Sequence, residues 1–224
     1  MIAAARRFLA CASVPFLVLS TVPLPASAHP HVFIDAGADF EFDDDGRLSA
    51  IRVTWILDHF VTLFLLEALG ADADRDGALT PEEEARIVAD QMNWDEGYEG
   101  DSYLDVGGAP TALAGPSSGE AALQDGKLTL RFTRPLEEPV NVPGGDAGAI
   151  ARIYDPVFFY AYFVTEKPQL MNAPDGCSAE VHPFEPTTEL AALQQTLFEL
   201  DQEEEPEQPE VGRLFADRIV LSCG

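Results

Sequence analysis

Two stretches of strict alternation, joined by four turn residues, fix how this chain begins its fold. Val32, Ile34, Ala36, Ala38, Phe40 and Phe42 occupy every second position, and Ile51, Val53, Trp55 and Leu57 do the same further on. Side chains along a strand point to alternate faces, so this pattern turns one apolar row inward and one polar row outward. Between the rows, Asp43-Asp44-Asp45-Gly46 is turn chemistry, with Gly46 free to take positive φ. The spacing predicts a β-hairpin over residues 31–57, and with it an antiparallel sheet covered on one face. His31, Phe33 and Asp35 fall in the outward row.

The period then changes. Asp58–Gly70 has helical spacing, and Phe60, Leu63, Phe64 and Ala68 are placed to share a core-facing stripe. Asp72-Ala-Asp74-Arg-Asp76-Gly77-Ala78-Leu79-Thr80-Pro-Glu-Glu83 follows and matches a twelve-residue EF-hand loop. Asp72, Asp74 and Asp76 fill the first, third and fifth ligand places, and Gly77 makes the turn. Ala78 offers its carbonyl, Thr80 fills the ninth place and Glu83 is the bidentate twelfth. A solvated helix–turn–helix is the competing reading, because Thr80-Pro81-Glu82-Glu83 is also a capping box with proline at the first helical position. Glu41–Gly46 mimics half of a second loop, but its twelfth place is Arg52 and its flanks are strands. An unpaired hand predicts weak calcium affinity, roughly 10⁻⁴–10⁻³ M as in extracellular modules.

Beyond a second helix at about Pro81–Met92, the chain returns to short strands, with candidates at Tyr103–Val106, Glu120–Gln124, Lys127–Thr133, Ile150–Tyr154 and Phe158–Thr165. Gly- and Pro-rich stretches at 107–119 and 139–148 read as loops. Tyr154-Asp155-Pro156 separates two apolar strands, and Asp155 is either a turn former or a buried charge that needs a partner. Leu190, Leu193, Leu197 and Leu200 define an amphipathic helix over Thr187–Leu200, followed by an acidic linker at about 199–210. No internal repeat is present. The expected class is α+β: a mostly antiparallel, sandwich-like sheet, with an EF-hand-like helix–loop–helix inserted at about 58–93 and a C-terminal helix.

Met1–Ala28 has the layout of a secretory signal peptide, with Arg6 and Arg7, an apolar run over Phe8–Ser20 and a small-residue site at Ala26-Ser27-Ala28. Its removal would leave residues 29–224 as one domain, exported to the periplasm and not embedded in the membrane. Losing two arginines and no acid would take the formal charge from −26 to −28. Such a surface repels phosphate backbones, so nucleic acid is not an expected partner. Cleavage would also free the amine of His29. An amine-plus-imidazole clamp at His29, or a His29/His31 pair on one face of an extended strand, could hold zinc, nickel, cobalt or copper. Pro30 lacks an amide proton, which blocks the planar amide-bound mode. A surface tail whose histidines bind nothing is the alternative. Cys177 and Cys223 form an even pair in an exported chain, so a disulfide is expected, with a thiolate metal site the rival.

Four features together resemble one bacterial family of unassigned function: the leader followed by His29-Pro-His31-Val-Phe-Ile-Asp35, then Val53-Thr-Trp55, the Asp72–Glu83 loop, and Tyr154-Asp155-Pro156. That family is described as the periplasmic component of an uncharacterised ABC-type transport system, associated with nickel/cobalt-type permeases. The resemblance runs through nearly all of the mature chain and implies a membrane metal transporter as partner. His59 departs from it, standing where the family more often carries an acid.

The function expected is a non-enzymatic accessory protein of transition-metal transport or homeostasis. His29, His31, Asp58 and Asp155 would form the transition-metal site, with calcium held separately by the EF-like loop. Two other readings stand beside it. One is a calcium-stabilised interaction module with incidental histidines. The other is a copper redox enzyme, for which His59 or His182 would supply a third nitrogen. No phosphate loop, nucleophile elbow or Cys/His catalytic arrangement is present.

Overall fold

The alternating rows fold into β1 (Val32–Phe42) and β2 (Leu48–Leu57), paired antiparallel with Ile34 opposite Leu57 and Phe40 opposite Ile51. The computed structural model describes residues 30, 32–145, 148–200, 204 and 206–224. The inward row is the expected one: Ile34, Ala36, Ala38, Phe40 and Phe42 are buried, as are Ile51, Val53, Trp55 and Leu57. The acidic turn is an Asx turn. Asp43 Oδ1 accepts from the amides of Asp45 and Arg47 at 3.0 and 2.9 Å, and Gly46 takes φ 75°.

Two helices follow, α1 (His59–Leu69) and α2 (Pro81–Gln91). Then come β3 (Ser102–Val106), β4 (Ala109–Thr111), β5 (Ser118–Gln124), β6 (Lys127–Val140), β7 (Ala149–Ile153) and β8 (Tyr160–Val164). The chain closes with β9 (Leu170–Met171), β10 (Cys177–His182), α3 (Thr188–Phe198), a 3-10 turn at Val211–Phe215 and β11 (Arg218–Cys223). One sheet has the order β5-β6-β2-β1-β8, with β9 also on β1, and the other runs β10-β11-β7-β3-β4. Every pairing is antiparallel except those of β8 and β9 with β1. The inward rows of both sheets meet in one core, where Phe40, Val53 and Phe132 join Leu104, Ala151 and Ile219. The class is α+β with two mostly antiparallel sheets, as the sequence predicts.

Helix α1 departs from its predicted face. Thr62 and Leu66 are its buried residues, with Val61, Leu65 and Leu69 packed against the core. Phe60, Leu63 and Phe64 point outward and remain 79%, 66% and 69% exposed. The segment Phe60–Leu66 is apolar on both sides, so periodicity alone cannot choose the face. The choice is made by Thr62, whose Oγ1 accepts the amide of Leu128 at 2.9 Å at the start of β6. Helix α3 keeps its predicted stripe. Leu197 is buried with Phe158, Val211 and Phe215 in a smaller cluster, and Leu190, Leu193 and Leu200 pack against it. Among the described residues no helix is long and apolar enough to cross a membrane.

Candidate functional site

The loop between α1 and α2 is built from both ends. Gly70 terminates α1 in the left-handed conformation, and Arg86 of α2 reaches back to the carbonyls of Leu69 and Gly70 at 3.0 and 2.9 Å. Asp72 Oδ1 accepts the amide of Gly77 at 3.2 Å, and Asp76 Oδ1 accepts that of Ala78 at 2.9 Å. Gly77 sits at φ 79°, which its lack of a side chain permits. The result is that one carboxylate oxygen each of Asp72, Asp74 and Asp76 lies within 4.8 Å of the others.

Glu83 closes the loop. Its Oε1 accepts the amide of Asp72 at 2.8 Å, joining the twelfth position to the first, and its Oε2 accepts the amide and hydroxyl of Thr80, each at 2.9 Å. Thr80 Oγ1 in turn accepts the amide of Glu83, completing the capping box. The amide of Thr80 and then its hydroxyl hold the Glu83 carboxyl below its usual range. Ala73, Asp74, Asp76, Ala78, Leu79, Thr80 and Glu83 line a cavity of about 240 Å³. Leu79 and Ile87 tie this exposed loop and its second helix to the core. All side-chain donors are oxygens, which suits a hard cation such as calcium and not a thiolate- or imidazole-seeking ion.

Of the four residues expected at a transition-metal site, His29 and His31 lie outside the described residues. Asp58 and Asp155 are both near the start of β1, reached from its two neighbours. Leu57 pairs with Ile34 on one side, and Tyr160 pairs with Val32 on the other. Asp58 is the α1 N-cap, its Oδ1 accepting the amide of Val61 at 2.8 Å. Asp155 is buried and acts as a turn former. Its Oδ1 accepts from Val157 at 3.1 Å, and its Oδ2 accepts from Phe159 and Tyr160 at 2.7 and 3.0 Å. His59 sets its Nδ1 3.0 Å from the carbonyl of Gly126, pinning α1 to the β5–β6 turn. His182 is exposed on β10, in the other sheet. Cys177 and Cys223 form the expected disulfide, at paired positions of β10 and β11.

Sequence reasoning missed a buried polar cluster between the sheets. Asp101 is 4% exposed and accepts the Tyr162 hydroxyl at 2.7 Å, and burial, opposed by that hydrogen bond, raises its carboxyl to about 6. Tyr162 also stacks obliquely against Trp55, whose buried indole nitrogen has no hydrogen-bond partner among the described residues. Arg134 occupies an inward position of β6, 2% exposed, with its guanidinium over the Trp94 ring. Gly100 leaves room for Trp94, since a Cβ there would lie 2.1 Å from the indole. The one available signal was Gly97-Tyr-Glu-Gly100-Asp101, a turn-rich stretch whose first three residues lie exposed while Gly100 and Asp101 turn inward.

No curated protein matches the chain. The model of a family described as "Protein of unknown function (DUF1007)" matches residues 14–223, which includes both sheets and the loop. The chain therefore belongs to the DUF1007 family.

Proposed function

We propose that this is an exported, non-enzymatic metal-binding accessory protein of the periplasm that serves a membrane transporter of nickel, cobalt, zinc or copper. The observation that carries the metal reading is the Asp72–Glu83 loop, where three carboxylates converge within 4.8 Å and Glu83 joins its two ends. Calcium would be held there by Asp72, Asp74, Asp76, Thr80, Glu83 and the carbonyl of Ala78, and its role would be to fix the α1–α2 angle. A separate transition-metal centre at His29 and His31, with Asp58 and Asp155 as oxygen donors, is supported by the two acids flanking the start of β1. The partner and the compartment rest on the resemblance carried by the leader and the His-Pro-His-Val-Phe start.

Calorimetry on protein beginning at His29 tests the reading directly. Calcium is expected to bind wild type and not an Asp72→Asn, Asp76→Asn variant. One of zinc, nickel, cobalt or copper is expected to bind wild type more tightly than the His29→Ala, His31→Ala variant. Absence of any such difference defeats the transition-metal role. Calcium binding without it leaves the calcium-stabilised interaction module, which the outward apolar face of α1 favours. Copper-dependent oxygen consumption would instead select the redox enzyme.

A further inference from the structure

Helix α1 is apolar on two faces, and among the described residues only one of them is covered. Thr62 and Leu66 face the core, while Phe60, Leu63 and Phe64 stand in solvent on the opposite side. Their spacing (i, i+3, i+4) makes one contiguous stripe, and Glu67 continues it at i+7. Scattered exposed apolar residues are ordinary, but three large side chains on one helical face mark a recognition surface.

The charge around this stripe selects what can cover it. Between residues 58 and 91 there are nine acids and two arginines. One of those arginines, Arg86, is tied to the carbonyls of Leu69 and Gly70. Helix α1 itself carries no lysine or arginine, and α2 opens on Glu82, Glu83 and Glu84. A second copy of the chain would bring another net −26 and the same acidic helices against this face. A partner with apolar anchors and lysine or arginine one turn away would meet both the stripe and its rim.

We propose that the Phe60–Leu63–Phe64 face of α1 is the docking site for a cationic amphipathic helix of a partner protein. The apolar residues of that helix would lie on Phe60, Leu63 and Phe64, and its basic residues would reach Glu67 and the acids of the neighbouring loop. This inference is independent of which ion the protein holds.

The test uses the full exported chain and a fluorescent fourteen-residue peptide of leucine and lysine in helical period. Saturable binding is expected, weakened at least tenfold by Phe60→Ser, Phe64→Ser in the protein. Both positions are exposed, so circular dichroism and melting temperature should be unchanged by the substitutions. A leucine/glutamate peptide of the same period should not bind. Binding that survives the double substitution would reduce the effect to general attraction between opposite charges and overturn the proposal. So would a wild-type dimer in sedimentation velocity that Phe60→Ser, Phe64→Ser dissociates, since the occupant would then be a second copy. Phe60- and Phe64-dependent binding to zwitterionic lipid vesicles, with no binding of the peptide, would also overturn it.

Discussion

Replacing Arg134 with methionine should damage the fold more than any single change at the loop. The guanidinium donates to the carbonyls of Ala114 and Leu113 at 3.0 Å each, of Ser102 at 2.8 Å and of Glu99, and to Ser102 Oγ at 3.3 Å. Its one ion pair among the described residues, to Glu99 at 3.3 Å, is with a carboxylate that is 57% exposed, so it contributes at most about 1 kcal/mol. The larger effect is the loss of donors to four carbonyls between two sheets. At about 1 kcal/mol for each carbonyl left without its donor, one buried and three part-buried, Arg134→Met should cost about 4 kcal/mol. For a domain of this size that lowers the melting temperature by about 8–16 °C. Arg134→Lys keeps the charge but loses the planar fork, and about half of that loss is expected. Glu99→Gln should cost less than about 1 kcal/mol. Urea unfolding followed by tryptophan fluorescence, with scanning calorimetry beside it, measures all three. An Arg134→Met protein melting within about 3 °C of wild type would refute the reasoning, as would a Glu99→Gln loss of equal size.

Three further outcomes are expected. At 10 mM calcium and a dissociation constant of roughly 10⁻⁴–10⁻³ M, mass action gives about 1–3 kcal/mol of stabilisation, read as a melting-temperature rise that Glu83→Gln should abolish in a thermal-shift series. The Asp101 carboxyl, at about 6 against an ordinary 3.8, holds its proton more tightly in the folded state. Its contribution to stability is therefore full below pH 4 and lost as pH rises through 6, so Asp101→Asn should gain on wild type between pH 4 and 7.5 in parallel denaturant titrations. Reducing Cys177–Cys223, or replacing both residues with serine, should cost about 4 kcal/mol in the chain-entropy picture, checked by unfolding with and without dithiothreitol.

The parts of the structure legible in the sequence are those whose signal is local. The rows Val32–Phe42 and Ile51–Leu57 define the hairpin because each residue's face is set by its neighbours two positions away. The capping box at Thr80 and the extent of α1 up to Gly70 were equally visible. Face selection on α1 was not, because Val61, Leu65 and Leu66 compete with Phe60, Leu63 and Phe64, and only the tertiary bond of Thr62 to Leu128 decides. Strand β6 runs past the predicted end at Thr133 to Val140, with the buried Arg134 held by carbonyls from distant loops that no local signal reveals. Of the candidate site, the acidic Asp72–Glu83 loop was legible as a motif of one continuous segment, and one carboxylate oxygen each of Asp72, Asp74 and Asp76 does lie within 4.8 Å of the others. Asp101 and Tyr162 are far apart in sequence, and nothing in either segment announces the other.

Strand β1 has its parallel neighbours far downstream. Val32 pairs with Tyr160 and Phe40 with Leu170, so the sheet cannot close along that side until most of the domain has been made. Non-local parallel pairing of this kind raises the entropic barrier to folding and slows it toward the millisecond-to-second range. Until then the side of β1 that β8 and β9 will take is an open row of amides and carbonyls, a template for the wrong strand. Delay of this sort makes the late-arriving segment around Tyr160–Met171 the latch that closes the sheet and ends that window.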